Sequence, residues 1–199
     1  LAASSTRAAP CSAWAARVAR ETADFLLRPG PDGLMTPEGA FASALDADTE
    51  GVEGLTYAWT PAQLVEVLGA DDGAWAAELL HVTPAGTFEH GSSTLQLRED
   101  PLDPAWWEGA KARLSAARAL RPQPARDDKV VTAWNGLAIR SLADAGVILG
   151  DSSYVDAAAR AADYLLTHHL IDGRLMRASR DGIVGDAQGT SADYGDLAE

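Results

Sequence analysis

The stretch DDKVVTAWNGLAIRSLADAG, residues 127–146, decides the fold because it carries the strongest helical pattern in the chain. Between residues 132 and 149, apolar and small side chains recur three and four positions apart, which places them on one helix face. The positions of this stripe are Trp134, Leu137, Ala138, Ser141, Leu142 and Ala145. We therefore predict a helix over residues 132–149 that packs closely on its neighbours, because small side chains let two helix axes approach.

Helical signals also dominate the rest of the chain. Apolar spacing predicts helices over residues 18–26 and 153–166. An N-cap residue followed by proline begins two more helices, at Thr60 and at Asp103, which end near residues 69 and 120. The sequence therefore predicts an all-α body.

Strand signals are scarce. Turn residues separate short apolar pieces at residues 87–97 and 173–185, which predicts two small β-hairpins. Both hairpins are expected to decorate helix ends.

An internal repeat indicates how the helices are organised. ARETADFLLRPGPDGLM, residues 19–35, matches ARAADYLLTHHLIDGRLM, residues 159–176, in the order helix, Ala-Asp-aromatic-Leu-Leu, Asp-Gly and Leu-Met. The spacing of the two copies is too long for a tetratricopeptide or ankyrin unit, but it fits several helical hairpins of a ring or solenoid. Long loops gather on one face of such arrays, so both acidic segments that follow the copies are expected on that face.

Composition excludes several classes of protein. The chain has 199 residues with 47% hydrophobic and 23% charged residues, which is enough for a sizeable core. It begins at Leu1, which suggests a segment of a longer protein, and no apolar run of membrane-span length is present. A formal net charge of −13 argues against a nucleic-acid partner. The single cysteine, Cys11, is compatible with a reducing, cytoplasmic compartment.

Four carboxylates crowd the stretch FASALDADTEGVEG, residues 41–54, at Asp46, Asp48, Glu50 and Glu53. Three roles fit such a cluster: a calcium loop, acid/base or hydroxyl-binding groups in a pocket, and a solvated turn. DADTEG matches the first half of an EF-hand loop, but Tyr57 stands at the twelfth position, where calcium requires a bidentate glutamate. We therefore predict no metal ligands here, while a pocket role and a structural role in capping or loop hydrogen bonds both stay open.

Several blocks of sequence are specific when taken together. They are GAFASALDADTEGVEGLTYAWTPAQLVEVLG, FEHGSSTLQLR, DDKVVTAWNGLAIRSLADAG, and DGRLMRASRDG with ADYGDLAE. In these blocks, over about residues 15–199, the chain resembles the family of thioredoxin-domain-containing proteins. The resemblance implies a thioredoxin-like domain followed by a helical toroid similar to six-hairpin glycosidases and N-acylglucosamine 2-epimerases.

The resemblance sets the expected architecture of this chain. It is an all-α, incomplete (α/α) toroid of helical hairpins with short β-hairpins in the loops, formed as a single segment over residues 1–199. The thioredoxin-like domain and the last hairpins are expected to be absent. Cys11 lies outside any Cys-x-x-Cys motif, so no thiol–disulfide chemistry is assigned to it.

The loop face of the toroid is the expected ligand site. Carboxylates accept hydrogen bonds from sugar hydroxyls, and aromatic rings stack on the apolar face of a pyranose. Asp46, Asp48 and Glu50 are the predicted catalytic acid/base groups, because glycoside chemistry uses carboxylate pairs. The predicted substrate-binding residues are Glu53, Tyr57, Trp59, Asp127, Asp128, Lys129, Trp134, Asn135, Asp193 and Tyr194.

Structural roles compete with binding in the second cluster. Asp127 and Asp128 precede the 132–149 helix, where they would compensate the positive end of its dipole, and Trp134 would pack in the core.

Three functional hypotheses follow. The leading one is a carbohydrate-active isomerase or glycoside-acting enzyme that needs no cofactor and takes a small molecule such as a sugar. The competing one is a non-catalytic helical scaffold that binds a protein or carries the thioredoxin-like domain to its targets. The third is an enzyme fold that keeps the pocket without the chemistry. An open toroid would also expose apolar helix faces, which makes self-association a further hypothesis.

Overall fold

The computed structural model describes residues 13–199, so Cys11 lies outside the described residues. The chain divides into two compact units. Unit 1 takes the described residues up to Leu45 together with Arg126–Glu199, and unit 2 is Asp46–Ala125. Within residues 13–199, every helix is too short or too polar to span a lipid bilayer.

The secondary structure is helix-rich with small antiparallel sheets. The helices are α1 (Ala13–Leu26), α2 (Pro61–Leu68), α3 (Ala70–Leu79), α4 (Pro104–Ala119), α5 (Thr132–Leu149), α6 (Ser152–Tyr164) and α7 (Ser191–Ala198). The strands are β1 (Ala44–Leu45), β2 (Asp48–Thr49), β3 (Val52–Glu53), β4 (Arg126–Asp127), β5 (Lys129–Val131), β6 (Leu170–Ile171), β7 (Arg174–Leu175), β8 (Ala178–Arg180) and β9 (Ile183–Val184). They pair as β1–β4, β2–β3, β5–β8–β9 and β6–β7, all antiparallel.

The predicted helices are confirmed, but the description as all-α is too simple. The helix predicted over residues 132–149 has those bounds in α5, and α2 and α4 begin at the prolines that follow Thr60 and Asp103. A β8–β9 hairpin lies inside the predicted segment 173–185. The hairpin predicted over residues 87–97 is wrong: a short 3₁₀ turn, Glu89–Gly91, takes its place, with a single bridge between Trp59 and Ser93.

Unit 2 forms around the α2–α3 corner and α4. Thr60 caps α2 reciprocally with Gln63, since the Gln63 N–H donates to the Thr60 hydroxyl at 3.3 Å and the Thr60 N–H donates to Gln63 Oε1 at 2.9 Å. Gly69 then turns with φ of 91°, a conformation that favours glycine, so that α3 starts one residue later. The buried core of this unit is Trp59, Leu64, Leu68, Ala76, Leu80, Val82, Ala110 and Leu114.

Unit 1 is built on α5. One core cluster of the unit is Ala23, Phe41, Leu142, Tyr154, Ala158 and Ala161, and a second is Ala40, Val130, Tyr164 and Leu165. On the other flank of α5, a Cβ at Gly136 would collide with the Asp196 backbone of α7, so the two helices cross closely there. Trp134 and Leu137, predicted within the buried stripe, are 56% and 48% exposed. The buried face of α5 is therefore narrower than predicted, because small residues such as Gly136, rather than Trp134 and Leu137, form its contact with α7.

The start of α5 is held by buried polar contacts. The Asn135 side chain is buried, and its oxygen accepts from the Phe41 N–H at 2.8 Å. Its amide group donates to the carbonyls of Phe41 and Val131, both at 3.0 Å. All the hydrogen bonds made by the Asn135 side chain thus satisfy backbone groups, and at Phe41 they pair the N–H and carbonyl of a buried residue outside the regular strands.

Asn135→Ala should lower the free energy of unfolding by about 2–6 kcal/mol, because the N–H and the carbonyl of Phe41 lose their partner and each unpaired buried group costs about 1–3 kcal/mol. Urea unfolding followed by far-UV circular dichroism measures the change. Val147→Ala, at a largely exposed position of the same helix, is the control and should change stability by less than about 0.5 kcal/mol. Equal stability of Asn135→Ala and the native chain would contradict the role assigned to this amide.

Candidate functional site

The acidic stretch of unit 2 forms an exposed hairpin. Asp48 pairs with Glu53 across β2 and β3, and the connecting turn has left-handed φ angles at Glu50 (54°) and Gly51 (77°). This is the geometry of a two-residue hairpin turn. Thr49 is buried beneath it, with its hydroxyl 2.8 Å from that of Thr56.

The four predicted acids of this stretch face solvent. Asp46, Asp48, Glu50 and Glu53 are all exposed, and none of them lines either of the two cavities described below. Among residues 13–199, no group of three or more His, Cys, Asp or Glu side chains is arranged to hold a metal ion. The structure thus places these acids on a solvated hairpin, and their catalytic role stays a prediction.

Tyr57 and Trp59 are covered by arginines. The Arg118 guanidinium lies 5.4 Å from the centre of the Tyr57 ring, and that of Arg121 lies 3.8 Å from the Trp59 ring. Arg121 also donates to the carbonyls of Thr56 and Ala58, at 3.0 and 2.8 Å. Trp59 is only 2% exposed, so the ring face under Arg121 is closed to a sugar. Trp59 also borders an apolar cavity of unit 2.

In unit 1, ion pairs fix the predicted residues before α5. Lys129 Nζ lies 3.1 Å from Asp127 Oδ2. Partial burial would raise the pKa of Asp127, but hydrogen bonds from Lys129 and its charge outweigh burial, so the pKa lies below its ordinary value. Asp128 pairs with Arg126 at 2.6 Å, and Arg126 also donates to the carbonyl of Gly30 at 2.7 Å.

Asp193 is a buried carboxylate inside helix α7. The repeat had suggested a loop at this position. Its oxygens accept from the Ala133 N–H at 3.0 Å and from the N–H and hydroxyl of Thr190 at 2.7 and 2.9 Å. Burial alone would raise its pKa, yet these hydrogen bonds and the charge of Arg177 lower it. Asp193 therefore ties α7 to the start of α5.

The remaining predicted binding residues of unit 1 differ in how far their side chains are exposed to a ligand. Trp134 is exposed, Asn135 is engaged with backbone groups, and Tyr194 is exposed, with a hydroxyl that accepts from the Leu175 N–H at 3.0 Å.

A polar cavity of about 260 Å³ lies in unit 1 beside Asp128. Its lining includes Thr36, Glu38, Arg126, Asp128, Tyr164 and Asp181. Thr36 is 8% exposed, and its hydroxyl has no hydrogen-bond partner among the described residues. The backbone of Thr36 is satisfied, because its N–H donates to the Ala40 carbonyl at 2.8 Å and its own carbonyl accepts from the Gly39 N–H at 3.0 Å. The unpaired hydroxyl is thus the one group of Thr36 that a ligand would satisfy.

Behind the cavity runs a buried relay of hydrogen bonds. The Tyr164 hydroxyl lies 2.9 Å from Ser179 Oγ, which lies 2.8 Å from His169 Nε2, and His169 Nδ1 lies 2.7 Å from Thr132 Oγ1. Because the Thr132 hydroxyl donates to the Met176 carbonyl at 2.6 Å, its oxygen accepts from His169 Nδ1–H. Nε2 then accepts from Ser179, and Ser179 from Tyr164. In its neutral form, the His169 ring is therefore protonated on Nδ1.

Of the residues that line this cavity, the sequence analysis named Asp128 alone as a candidate site residue. Thr36 follows the first Leu-Met of the repeat, and Tyr164 is the aromatic residue of the second copy. The repeat was therefore the signal that marked both residues. Arg126 and Asp181 carried no signal, because they reach the cavity through the β1–β4 ladder and the β8–β9 turn.

Comparisons with known proteins give one group of relatives. No protein-family model matches the chain. Spermatogenesis-associated protein 20 is 30% identical in Rattus norvegicus, 29% in Homo sapiens and 28% in Mus musculus, and each alignment covers 75% of this chain and 24% of the relative. The chain thus spans about a quarter of the length of the curated relatives it matches. These similarities support the family resemblance that the sequence blocks indicate.

Because His169 is buried, the free energy of unfolding depends on pH through its ring. Burial, together with the charge of His168, lowers the pKa of His169 from 6.5 to about 4. Between these values the unfolded chain binds a proton that the folded chain does not. The His169 contribution to stability is therefore complete above pH 6.5 and falls by up to about 1.4 kcal/mol per pH unit down to pH 4.

His169→Gln should remove this dependence, so its difference in unfolding free energy from the native chain should shrink as the pH falls from 6.5 to 4. Urea unfolding at several pH values measures it. His90→Gln, at an exposed site, is the control and should leave the native profile unchanged. If His169→Gln folds poorly, long-range ¹H–¹⁵N NMR of the native chain reports the tautomer directly, and a charged His169 at pH 6 would contradict the relay.

Proposed function

We propose that unit 1 binds a small polyhydroxylated, carbohydrate-type ligand in the polar cavity beside Asp128. The observation that carries this proposal is made at Thr36, which lines the cavity and whose buried hydroxyl has no hydrogen-bond partner among the described residues. An unpaired buried hydroxyl costs free energy, and native proteins generally pair such groups with protein, water or ligand. A sugar hydroxyl both donates and accepts, so it satisfies the threonine in either orientation.

The other groups of the cavity have the chemistry of hydroxyl recognition. Carboxylates of Glu38, Asp128 and Asp181 accept hydrogen bonds from ligand hydroxyls, and Arg126 donates to ligand oxygens. Asp128 and Arg126 are already paired at 2.6 Å, so a neutral ligand is held without desolvating a lone charge. The Tyr164 hydroxyl is engaged with Ser179, which leaves its ring as the apolar wall of the cavity.

The curated relatives are about four times as long as the part that this chain matches. We further propose an incomplete (α/α) toroid that is attached, in the whole protein, to a thioredoxin-like domain and located in the cytoplasm. The helix-rich secondary structure supports the toroid, and the resemblance to the thioredoxin-domain-containing family supports the attached domain. Asp46, Asp48 and Glu50 remain the proposed acid/base groups of an isomerase or glycoside-acting enzyme. All three are exposed in unit 2, and Asp48 and Glu50 lie on the β2–β3 hairpin.

A scaffold is the second candidate, and the same exposure favours it. Carboxylates dispersed over a solvated hairpin suit a surface that binds another protein, whereas acid/base catalysis needs a site that restricts water. In this alternative, unit 2 would present its acids to a basic partner. The alternative predicts that no sugar binds to the chain.

Thermal unfolding with a panel of mono- and disaccharides tests the first proposal. A sugar present at about 100 times its dissociation constant stabilises the native state by about 2.7 kcal/mol, which raises the melting temperature by several degrees. Thr36→Val should abolish this shift. It should leave the stability of the free protein unchanged or raise it by up to about 1 kcal/mol, because an unpaired buried hydroxyl is lost.

A threonine outside the cavity provides the control for the sugar-dependent melting shift. Thr83→Val, at an exposed position of unit 2, should keep the full sugar shift. A panel without any shift, or a shift that Thr36→Val retains, would contradict binding in this cavity and favour the scaffold.

A further inference from the structure

A second cavity, within unit 2, differs in character from the polar one. It has a volume of about 220 Å³ and is walled by Trp59, Leu80, Trp107 and Leu114, with Ser115 and Arg118 among its polar lining. Trp59, Leu80 and Leu114 belong to the buried core cluster of the unit. The walls therefore combine these core side chains with Leu95 and Leu97 of the segment before α4, and an apolar cavity of this size is a ready site for an apolar group.

Positive charge gathers at this cavity although the chain is acidic overall. Arg118 Nε is buried without a hydrogen-bond partner among the described residues, and the guanidinium lies over the Tyr57 ring. Arg121 stacks on Trp59 at 3.8 Å. Burial and then the charge of Arg118 lower the pKa of Arg121, so the two guanidinium groups repel each other. Within residues 13–199, neither arginine forms an ion pair with a carboxylate.

We propose that this cavity of unit 2 binds an amphipathic organic anion: a medium-chain aliphatic or aromatic body between Trp59, Trp107 and the leucines, and a carboxylate that accepts a hydrogen bond from Arg118. The apolar body gains the free energy of leaving water. The carboxylate accepts from the Arg118 guanidinium, and its negative charge offsets the repulsion between Arg118 and Arg121.

Other ligand classes fit this cavity less well. A cation would add a further positive charge beside Lys111, Arg118 and Arg121, and a polyhydroxylated sugar would leave hydroxyls unpaired against leucine and tryptophan walls. An apolar molecule without a charge would fill the volume but leave the Arg118 guanidinium without a carboxylate partner. The anionic head group is therefore the feature that the site selects.

Isothermal titration calorimetry with three probes of equal chain length tests the inference: octanoate, octanol and octylamine. We expect octanoate to bind with one-to-one stoichiometry, octanol to bind about tenfold or more weakly, and octylamine not to bind. Octanol binding as tightly as octanoate would overturn the selection for an anion. Absence of octanoate binding would overturn the site, whether the cavity is empty or is filled by another segment of the whole protein.

Two variants locate the site. Arg118→Met should weaken octanoate binding about tenfold or more while leaving octanol binding unchanged. Arg174→Met removes the same charge from an exposed position of unit 1 and should leave octanoate binding intact. Ser115→Trp, which starts from an exposed position of α4 and fills the cavity, should block octanoate and octanol alike. Octanoate binding that survives Ser115→Trp would contradict this location.

Discussion

The clamp between Asn135 and Phe41 is the contact on which unit 1 depends. It joins residues 94 positions apart, one at the start of helix α5 and one in the loop that precedes β1. Because the amide satisfies both the N–H and the carbonyl of Phe41, that backbone segment is buried without a long strand to pair with. Phe41 is thereby held against the α5–α6 core, and Thr36, five residues earlier, is held beside the polar cavity.

The same end of α5 gathers the other buried polar groups of the unit. Asp193 accepts from the Ala133 N–H, and Thr132 accepts from His169. One helix turn thus fixes the loop before β1, helix α7 and the relay behind the cavity. Such networks cost desolvation but, when every member is paired, they favour a single arrangement of the elements. The buried Thr36 hydroxyl is the exception, because it has no partner among the described residues, and the proposed ligand would pair with it.

Much of the local structure was predictable from the sequence, whereas the site was predictable only in part. Helix α5 and the caps at Thr60 and Asp103 follow from local rules, because capping and periodicity act within a few residues. Asn135 and Asp193 look like ligand residues in the sequence, but the structure uses them for backbone groups far along the chain. Such long-range partners leave no local pattern. The same limit explains why Arg126 and Asp181 were missed, and why the exposure of Trp134 became clear only when the packing of α5 was known.

Native-state hydrogen exchange of the Phe41 and Ala133 amides tests the central claim most directly. If the polar clamp at the start of α5 holds unit 1 together, these two amides exchange only through global unfolding. Their exchange free energies should then equal the unfolding free energy measured with denaturant. Phe41 lies outside every helix, so helical structure would not account for strong protection of its amide. Exchange of the Phe41 amide through local opening, several kcal/mol easier than global unfolding, would contradict the account.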